Sequence, residues 1–204
     1  MITGELKNKI DSLWNILAAG GMVNPLDVIE QITYLMFIHD LDEADLRRAR
    51  ECAMLGLEHE SVFAGPVIMP DGQEIEAEPL RWSVFRDYPA ERMYQVVQHA
   101  VFPFIKNLHR NKQSAYATYM EDAIFKLPTP LVLSDVVDAL DDLYAGMKNL
   151  RSADIRGDVY EYLLSRIAQS GRNGQFRTPR HIIRMMVDMC APTPEDSVAA
   201  PRAF

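Results

Sequence analysis

The chain has 204 residues, of which 48% are hydrophobic and 25% are charged, and its formal net charge is −8 at pH 7. This composition is typical of a soluble globular protein long enough for one domain and part of another. Because no apolar run approaches the roughly 20 residues of a membrane-spanning helix and the N-terminus has no signal-peptide pattern, the sequence predicts a cytoplasmic protein without a membrane partner.

The first predicted element is a helix over residues 3–19. Gly20 and Gly21 end it, and Asn24 and Pro25 begin the next helix as its cap and first turn. The stripe that predicts the first helix consists of Leu6, Ile10, Leu13, Trp14 and Leu17.

The second helix is predicted to run to about Asp40 and to be the central helix of a bundle, because it is apolar over much of its circumference. A third helix, charged on its outside, is predicted from Asp42 to about Leu57.

Residues 61–80 interrupt the helical pattern with prolines and a Pro-Asp-Gly turn. Residues 67–69 and 74–76 are predicted to pair as a short hairpin across that turn. Trp82 and Phe85 are predicted to anchor the return of the chain to the core.

Three further helices are predicted beyond the hairpin. A long helix covers 89–109, where Pro103 kinks or divides it, and another covers 113–125. After a linker at 128–130, Ser134 is predicted to cap a helix that closes near Gly146.

The predicted domain boundary lies at about residue 150, so that residues 1–150 form a helical docking domain and residues 151–204 begin a second domain. A helix from 155 to 170 leads into this second domain. The predicted fold class is mainly α, a helical bundle with an irregular or hairpin insertion.

Charge is distributed unevenly along the chain. Residues 151–190 contain seven arginines and four acidic residues, whereas the rest of the chain has 14 basic and 25 acidic residues. The acidic body is suited to docking on a protein partner rather than to binding phosphate alone. The arginine-rich segment is interpreted as facing phosphate or an acidic partner, or as a solvated helix face.

The acidic residues, cysteines, histidines and serines of the chain do not have the spacing that a conventional active site or metal site requires. Adjacent acids such as Asp141 and Asp142 diverge on a helix and are interpreted as solvated surface. Cys52 and Cys190 are predicted to be buried free thiols, and the five scattered histidines predict no metal site. No serine or cysteine has a nucleophile-elbow context, so no catalytic residue is predicted.

The most informative segment is Gly-Gln-Phe-Arg-Thr-Pro-Arg at 174–180. Thr178 followed by Pro179 predicts a helix start, whose free N–H groups suit a carboxylate or phosphate. Phe176 is placed to pack on a flat or sulfur-bearing ligand. The alternative interpretation is an ordinary capped helix after a glycine-containing loop.

This segment, with the Gly-Asp-Val-Tyr-Glu-Tyr-Leu stretch at 157–163, resembles the modification (methyltransferase) subunit of type I restriction-modification systems. There a Gly-Asp-x-Tyr-Glu-x-Leu helix precedes a Phe-x-Thr-Pro turn that contacts S-adenosylmethionine. Residues 24–35, 80–83 and 101–106 similarly resemble the family's helical N-terminal domain, in the same order. The resemblance implies that residues 151–204 begin a Rossmann-like methyltransferase domain, with these cofactor-binding residues: Gln175, Phe176, Arg177, Thr178, Pro179 and Arg180.

The chain departs from the family pattern at its end. Family members continue into a strand with the loop Asp-Pro-Ala-Cys-Gly-x-Gly and later an Asn-Pro-Pro-Phe/Tyr motif, whereas residues 196–204 read Asp-Ser-Val-Ala-Ala-Pro-Arg-Ala-Phe. The expectation is therefore a truncated catalytic domain without its catalytic centre. Such a chain is expected to be inactive alone and to bind S-adenosylmethionine weakly or not measurably.

The activity that the resemblance implies is adenine-N6 methylation of DNA, on a base flipped out of the duplex. The implied partners are the specificity and restriction subunits of the same system, and DNA in the assembled complex. The alternative function is a non-catalytic helical protein-interaction module.

Overall fold

The computed structural model describes residues 4–69, 72–108, 123–148, 155–169 and 180–191, and within them the fold is mainly α, as predicted. The chain divides into two compact units, Met1–Arg166 and Ile167–Phe204. The larger helices are α1 (Gly4–Ala19), α2 (Pro25–Leu55), α6 (Pro130–Lys148), α7 (Ile155–Gln169) and α8 (Arg180–Cys190). The shorter elements are β1 (Pro66–Ile68), β2 (Glu74–Glu76), α3 (Trp82–Phe85), α4 (Ala90–Val96) and α5 (Phe102–Asn107).

Helices α1 and α6 pack against each other in antiparallel directions. Lys9 Nζ donates a hydrogen bond of 2.9 Å to the carbonyl of Asp142, while Gly20, just beyond α1, lies against Val132 near the start of α6. The predicted apolar stripe of α1 is confirmed except at Trp14, which is half-buried; its fully buried members are Leu6, Ile10, Leu13 and Leu17.

Helix α2 begins as predicted, but it is one helix of 31 residues rather than two. The Asn24 side chain accepts a hydrogen bond of 3.2 Å from the amide of Leu26, and the helix ends at Gly56, whose φ is 67°. The predicted break at 40–42 was wrong, because no glycine or proline lies there to end the helix. The charges that suggested a surface helix include Asp42 and Asp45, which are buried.

The predicted hairpin and its anchors are confirmed. Strands β1 and β2 pair antiparallel, with Val67 opposite Ile75. Trp82 and Phe85 of α3 are 2% and 0% exposed, so they hold the returning chain in the core.

The helical region at 90–107 contains a π segment, Val97–Val101, between α4 and α5. The amide of Phe102 donates to the carbonyl of Val97, five residues earlier. Pro103 follows directly and has no N–H to donate, so the helical ladder is irregular where the sequence predicted a kink or division.

The predicted start of α6 at Ser134 was wrong. The helix begins at Pro130, and Thr129 caps it by accepting a hydrogen bond of 3.3 Å from the amide of Val132. Thr129-Pro130 is a cap followed by a first-turn proline, so the predicted linker contains the helix start. Gly146 lies inside the helix, which continues to Lys148.

The helix predicted at 113–125 lies mostly outside the described residues, but its last residues, 123–125, are not helical. Here the Gln31 side chain of α2 donates a hydrogen bond of 3.0 Å to the carbonyl of Ile124. It also accepts a hydrogen bond of 3.0 Å from the amide of Lys126. Gln31 is only 1% exposed. Its buried side-chain amide therefore makes the hydrogen bonds with backbone groups of 124 and 126 that would otherwise be made within a helix.

The prediction of two buried cysteines was wrong, because Cys52 is half-buried and Cys190 is exposed. Both thiols are free and lie in helices. None of the helices in the described ranges combines the length and apolarity that crossing a bilayer requires.

Candidate functional site

The predicted cofactor turn lies almost entirely outside the described residues. Gln175, Phe176, Arg177, Thr178 and Pro179 fall there, while Arg180 is the first residue of α8. The helix that the Thr-Pro pair predicted is therefore present, and the cofactor-binding role of these residues stays a prediction.

Helix α8 carries a run of exposed apolar side chains. Their exposed fractions range from 39% to 78%, for Ile183, Met185, Met186, Val187 and Met189. An exposed apolar face of this size is typical of a helix that packs within a larger domain.

Helix α7 contains the Gly-Asp-Val-Tyr-Glu-Tyr-Leu motif and is held on α1 through Asp11. The hydroxyl of Tyr162 donates a hydrogen bond of 2.8 Å to Asp11 Oδ1, and Arg166 Nη2 lies 2.9 Å from the same oxygen. Val159 and Leu163 of α7 are both fully buried. Burial raises the pKa of the Tyr162 phenol, and its hydrogen bond to the negatively charged Asp11 raises that pKa further.

The guanidinium of Arg166 also lies 5.9 Å from the centre of the Trp14 ring, and Lys7 Nζ lies 5.8 Å from the centre of the Tyr162 ring. The α1–α7 contact thus combines a shared carboxylate and two cation–π contacts. Sequence reasoning missed Asp11, since it is separated from Tyr162 by 151 residues and nothing near it indicates its partner.

A second polar cluster joins α2 to the chain around the hairpin. Arg81 donates at 2.7 Å to both Asp42 and Asp45, and Ser61 donates at 2.7 Å to Asp45. His59 Nε2 lies 3.0 Å from Asp45 as well. We call these five residues the Arg81 clasp; the side chains of its two carboxylates are 2–3% exposed.

Burial alone would raise the pKa of Asp45, but the donors around it outweigh burial. Hydrogen bonds from Ser61, Arg81, the amide of Val62 and His59 together lower the pKa of Asp45 from 3.8 to about 2. Asp45 is therefore ionised and bonded to several donors, so the clasp holds elements together rather than transferring protons.

One acidic residue of α6, Asp141, also has a structural role. Asp141 was interpreted as solvated surface, yet it accepts a hydrogen bond of 2.9 Å from Trp82 Nε1 and lies 3.0 Å from Arg86 Nη1. Its neighbour Asp142 is exposed, in keeping with the interpretation of that residue as solvated surface.

One group of potential metal ligands lies on α2, where single atoms of His39, Asp40 and Glu43 lie within 4.8 Å of one another. His39 stacks on Tyr144 with ring centroids 3.6 Å apart, and Asp40 and Glu43 both interact with other groups of the protein. His39 Nδ1 also lies 3.5 Å from Asp40 Oδ1. We assign no metal to this group, and the predicted lack of a metal site stays a prediction.

Two family models match the chain in succession. The HsdM N-terminal domain matches residues 6–140 and the N-6 DNA Methylase family matches residues 151–203. The chain therefore belongs to the HsdM N-terminal domain family, and the resemblance to the N-terminal part of a type I modification subunit is confirmed.

Two curated relatives agree with this assignment. The chain is 48% identical over 46 residues to the type I restriction enzyme HindI methylase subunit of Haemophilus influenzae, which is 22% of the chain and 10% of that protein. It is 25% identical over 116 residues to the type I restriction enzyme EcoEI methylase subunit of Escherichia coli, 54% of the chain and 23% of that protein. The chain thus spans less than a quarter of the length of these relatives, and no solved structure matches it.

Proposed function

We propose that this chain is the N-terminal part of a subunit that methylates adenine N6 in DNA, within a type I restriction-modification system. The observation that carries the proposal is the succession of an HsdM N-terminal domain at 6–140 and the start of an N-6 DNA Methylase domain at 151–203. Both curated relatives are named methylase subunits of type I restriction enzymes.

The methyl donor in this proposal is S-adenosylmethionine. We propose that residues Gln175 to Arg180 contact it in a complete subunit, since a Thr-Pro helix start offers free amides to the methionine part and Phe176 offers a ring face. The presence of α8 directly after this turn supports the helix-start geometry.

We propose that the HsdM domain docks on a specificity subunit, with a restriction subunit and DNA joining the assembled complex. In support, the residues outside 151–190 carry 25 acidic against 14 basic side chains, a balance that suits a protein partner better than a phosphate backbone. Apart from Arg166, which pairs with Asp11, the arginines of 151–190 are the part of the chain that we propose faces DNA phosphate or an acidic partner.

The domain limits are also part of the proposal: residues 1–150 are the docking domain and residues 151–204 begin the methyltransferase domain. The two family matches, which end at 140 and begin at 151, support a boundary between them.

Methyl transfer tests the proposal directly. A complete subunit that carries these residues together with the glycine-rich loop and the Asn-Pro-Pro motif, mixed with a specificity subunit, should transfer labelled methyl groups from S-adenosylmethionine to adenine N6. A matched subunit with the Asn-Pro-Pro asparagine changed to alanine should not. Transfer to cytosine, or no transfer by the unchanged subunit, would contradict the proposed function.

The role of the cofactor turn is tested by Phe176→Ala in the complete subunit. A helix end contributes about 0.3–1 kcal/mol to an exposed anion, which is at most about fivefold in affinity. Because Phe176→Ala removes a ring that we propose is buried against the cofactor, the dissociation constant measured by calorimetry should rise by more than that. Ile68→Ala, a loss of an exposed hairpin side chain, is the control and should bind like wild type. Equal dissociation constants for wild type and Phe176→Ala would show that the turn is only a helix start.

A further inference from the structure

We propose that Asp11 is a positioning residue for the methylase segment, and that it fixes the register of α7 on α1. The inference rests on the proposed function for its consequence, but the anchoring of α7 is a property of the fold alone. Asp11 lies within the HsdM match and α7 within the N-6 DNA Methylase match, so a single carboxylate joins the two homology segments.

The anchor works because its two donors are one helical turn apart. Tyr162 and Arg166 have the i,i+4 spacing that places side chains on one face of α7, and both meet Asp11 Oδ1. Val159 and Leu163 have the same spacing and are fully buried, so a neighbouring row of α7 supplies apolar contact.

The polar contacts add something that the apolar contacts do not. Apolar packing depends little on direction, so it stabilises a helix on a surface in more than one register. Hydrogen bonds are directional, and sliding α7 by one turn, about 5.4 Å, or rotating it by one residue would break the contacts of Tyr162 and Arg166 with Asp11. Asp11 therefore selects one register of α7 from those that Val159 and Leu163 permit.

The register of α7 matters for the proposed function because α7 carries the Gly-Asp-Val-Tyr-Glu-Tyr-Leu stretch at 157–163, within the methylase match, and precedes the proposed cofactor turn in the sequence. Gln175 follows Arg166 by nine positions in the sequence.

Hydrogen–deuterium exchange of this chain tests the anchor without any ligand. Asp11→Ala and Arg166→Ala should each accelerate amide exchange in residues 159–166 by about two- to fivefold, the range of a partly exposed ion pair. The acceleration in the double variant should be smaller than the product of the two single effects, because both changes remove the shared contact between Asp11 and Arg166. Glu5→Ala, which changes an exposed acid on the same helix, is the control and should leave exchange in α7 unchanged. Unchanged exchange in Asp11→Ala, or additive effects in the double variant, would overturn the anchor.

Cofactor affinity of the complete subunit tests the consequence. Asp11→Ala should raise the dissociation constant of S-adenosylmethionine by at least about twofold, although Asp11 is not proposed to touch the cofactor. Asp11→Asn keeps an oxygen that accepts from Tyr162 and should recover part of the lost affinity, which nonspecific damage would not produce. Faster exchange in α7 with unchanged cofactor affinity would refute the positioning role and leave the proposed function intact. Failure of the unchanged subunit to bind the cofactor would count against the proposed function instead.

Discussion

Asp45 illustrates how a buried charge in this protein is stabilised by its neighbours. Removing a carboxylate from water is costly, but Arg81, Ser61, His59 and the amide of Val62 all lie within hydrogen-bonding distance of it. Their combined effect lowers the pKa of Asp45 to about 2, so the ionised form contributes to folding.

The acid stability of the protein should depend on this residue. The folded pKa of Asp45 lies below its usual value of 3.8, so its contribution is complete above about pH 4 and is lost as the pH falls through about 2. The lowering of the Asp45 pKa corresponds to roughly 2 kcal/mol in the free energy of unfolding. Asp45→Asn should therefore lower the free energy of unfolding by roughly that amount at neutral pH, and the difference from wild type should shrink between pH 4 and pH 2.

Denaturant unfolding at a series of pH values measures this dependence. Asp87→Asn is the matched control, because the Asp87 side chain is 76% exposed and its ion pair with Arg86 is long, at 3.7 Å. A stability difference between wild type and Asp45→Asn that stays constant from pH 6 to pH 2 would show that the ionisation of Asp45 does not support the fold.

At the scale of elements, helix starts were predictable where a capping side chain and a proline stand together. Asn24-Pro25 was interpreted in this way and confirmed, whereas Thr129-Pro130 has the same chemistry and was assigned to a linker. The limits of α2 were harder to predict, because Asp42 is matched by Arg81, 39 residues away, and local patterns do not contain that information.

The cap of α6 can be tested by two single substitutions. Thr129→Ala removes the side-chain acceptor of the Val132 amide and should cost about 0.5–2 kcal/mol of unfolding free energy. Ser134→Ala changes a residue inside α6 and should be neutral or slightly stabilising, because alanine favours a helix interior. Chemical denaturation of both variants distinguishes a helix start at Thr129 from one at Ser134. A larger loss of unfolding free energy from Ser134→Ala would favour the start at Ser134 that the sequence predicted.

The contact between α1 and α6 depends on the absence of a side chain at Gly20. A Cβ atom there would lie 2.7 Å from Val132 Cγ2 and 3.2 Å from the carbonyl oxygen of Ile16. Gly20→Ala should therefore destabilise the protein by about 1–3 kcal/mol, the usual cost of overpacking.

A second substitution distinguishes overpacking from a backbone effect. Val132→Ala should remove much of the penalty of Gly20→Ala when the two are combined, because it deletes the methyl group that is too close. Gly4→Ala is the control, since a Cβ atom at Gly4 meets nothing within 4 Å. If thermal unfolding shows Gly20→Ala to be as stable as Gly4→Ala, the two helices are not packed closely at this point.

At the scale of the whole molecule, the sequence predicted the fold class, the hairpin and the family, because each rests on local periodicity or on ordered motifs. It did not predict that α7 packs on α1. That contact joins residues near opposite ends of the larger unit, and the local sequence around either residue contains no sign of its partner. The packing unit Met1–Arg166 consequently includes most of a helix that lies within the N-6 DNA Methylase match.

This difference between packing and homology gives a prediction for fragments of the chain. Residues 1–150 should fold as a helical domain, and residues 1–166 should be more stable. In the longer fragment α7 buries Val159 and Leu163, and fully burying such side chains contributes about 1.5–3 kcal/mol each, before the entropy of ordering α7 is subtracted. Both fragments should show a helical circular dichroism spectrum and a cooperative thermal transition.

The longer fragment should have the higher midpoint of thermal unfolding. Leu163→Ala within it should remove most of this difference in stability, since a buried Leu-to-Ala change costs about 2–5 kcal/mol. Tyr160→Ala is the matched control, because Tyr160 lies on the same helix and is 40% exposed. Equal midpoints for the two fragments would show that α7 does not stabilise the N-terminal unit, and would also remove the structural basis for the role of Asp11.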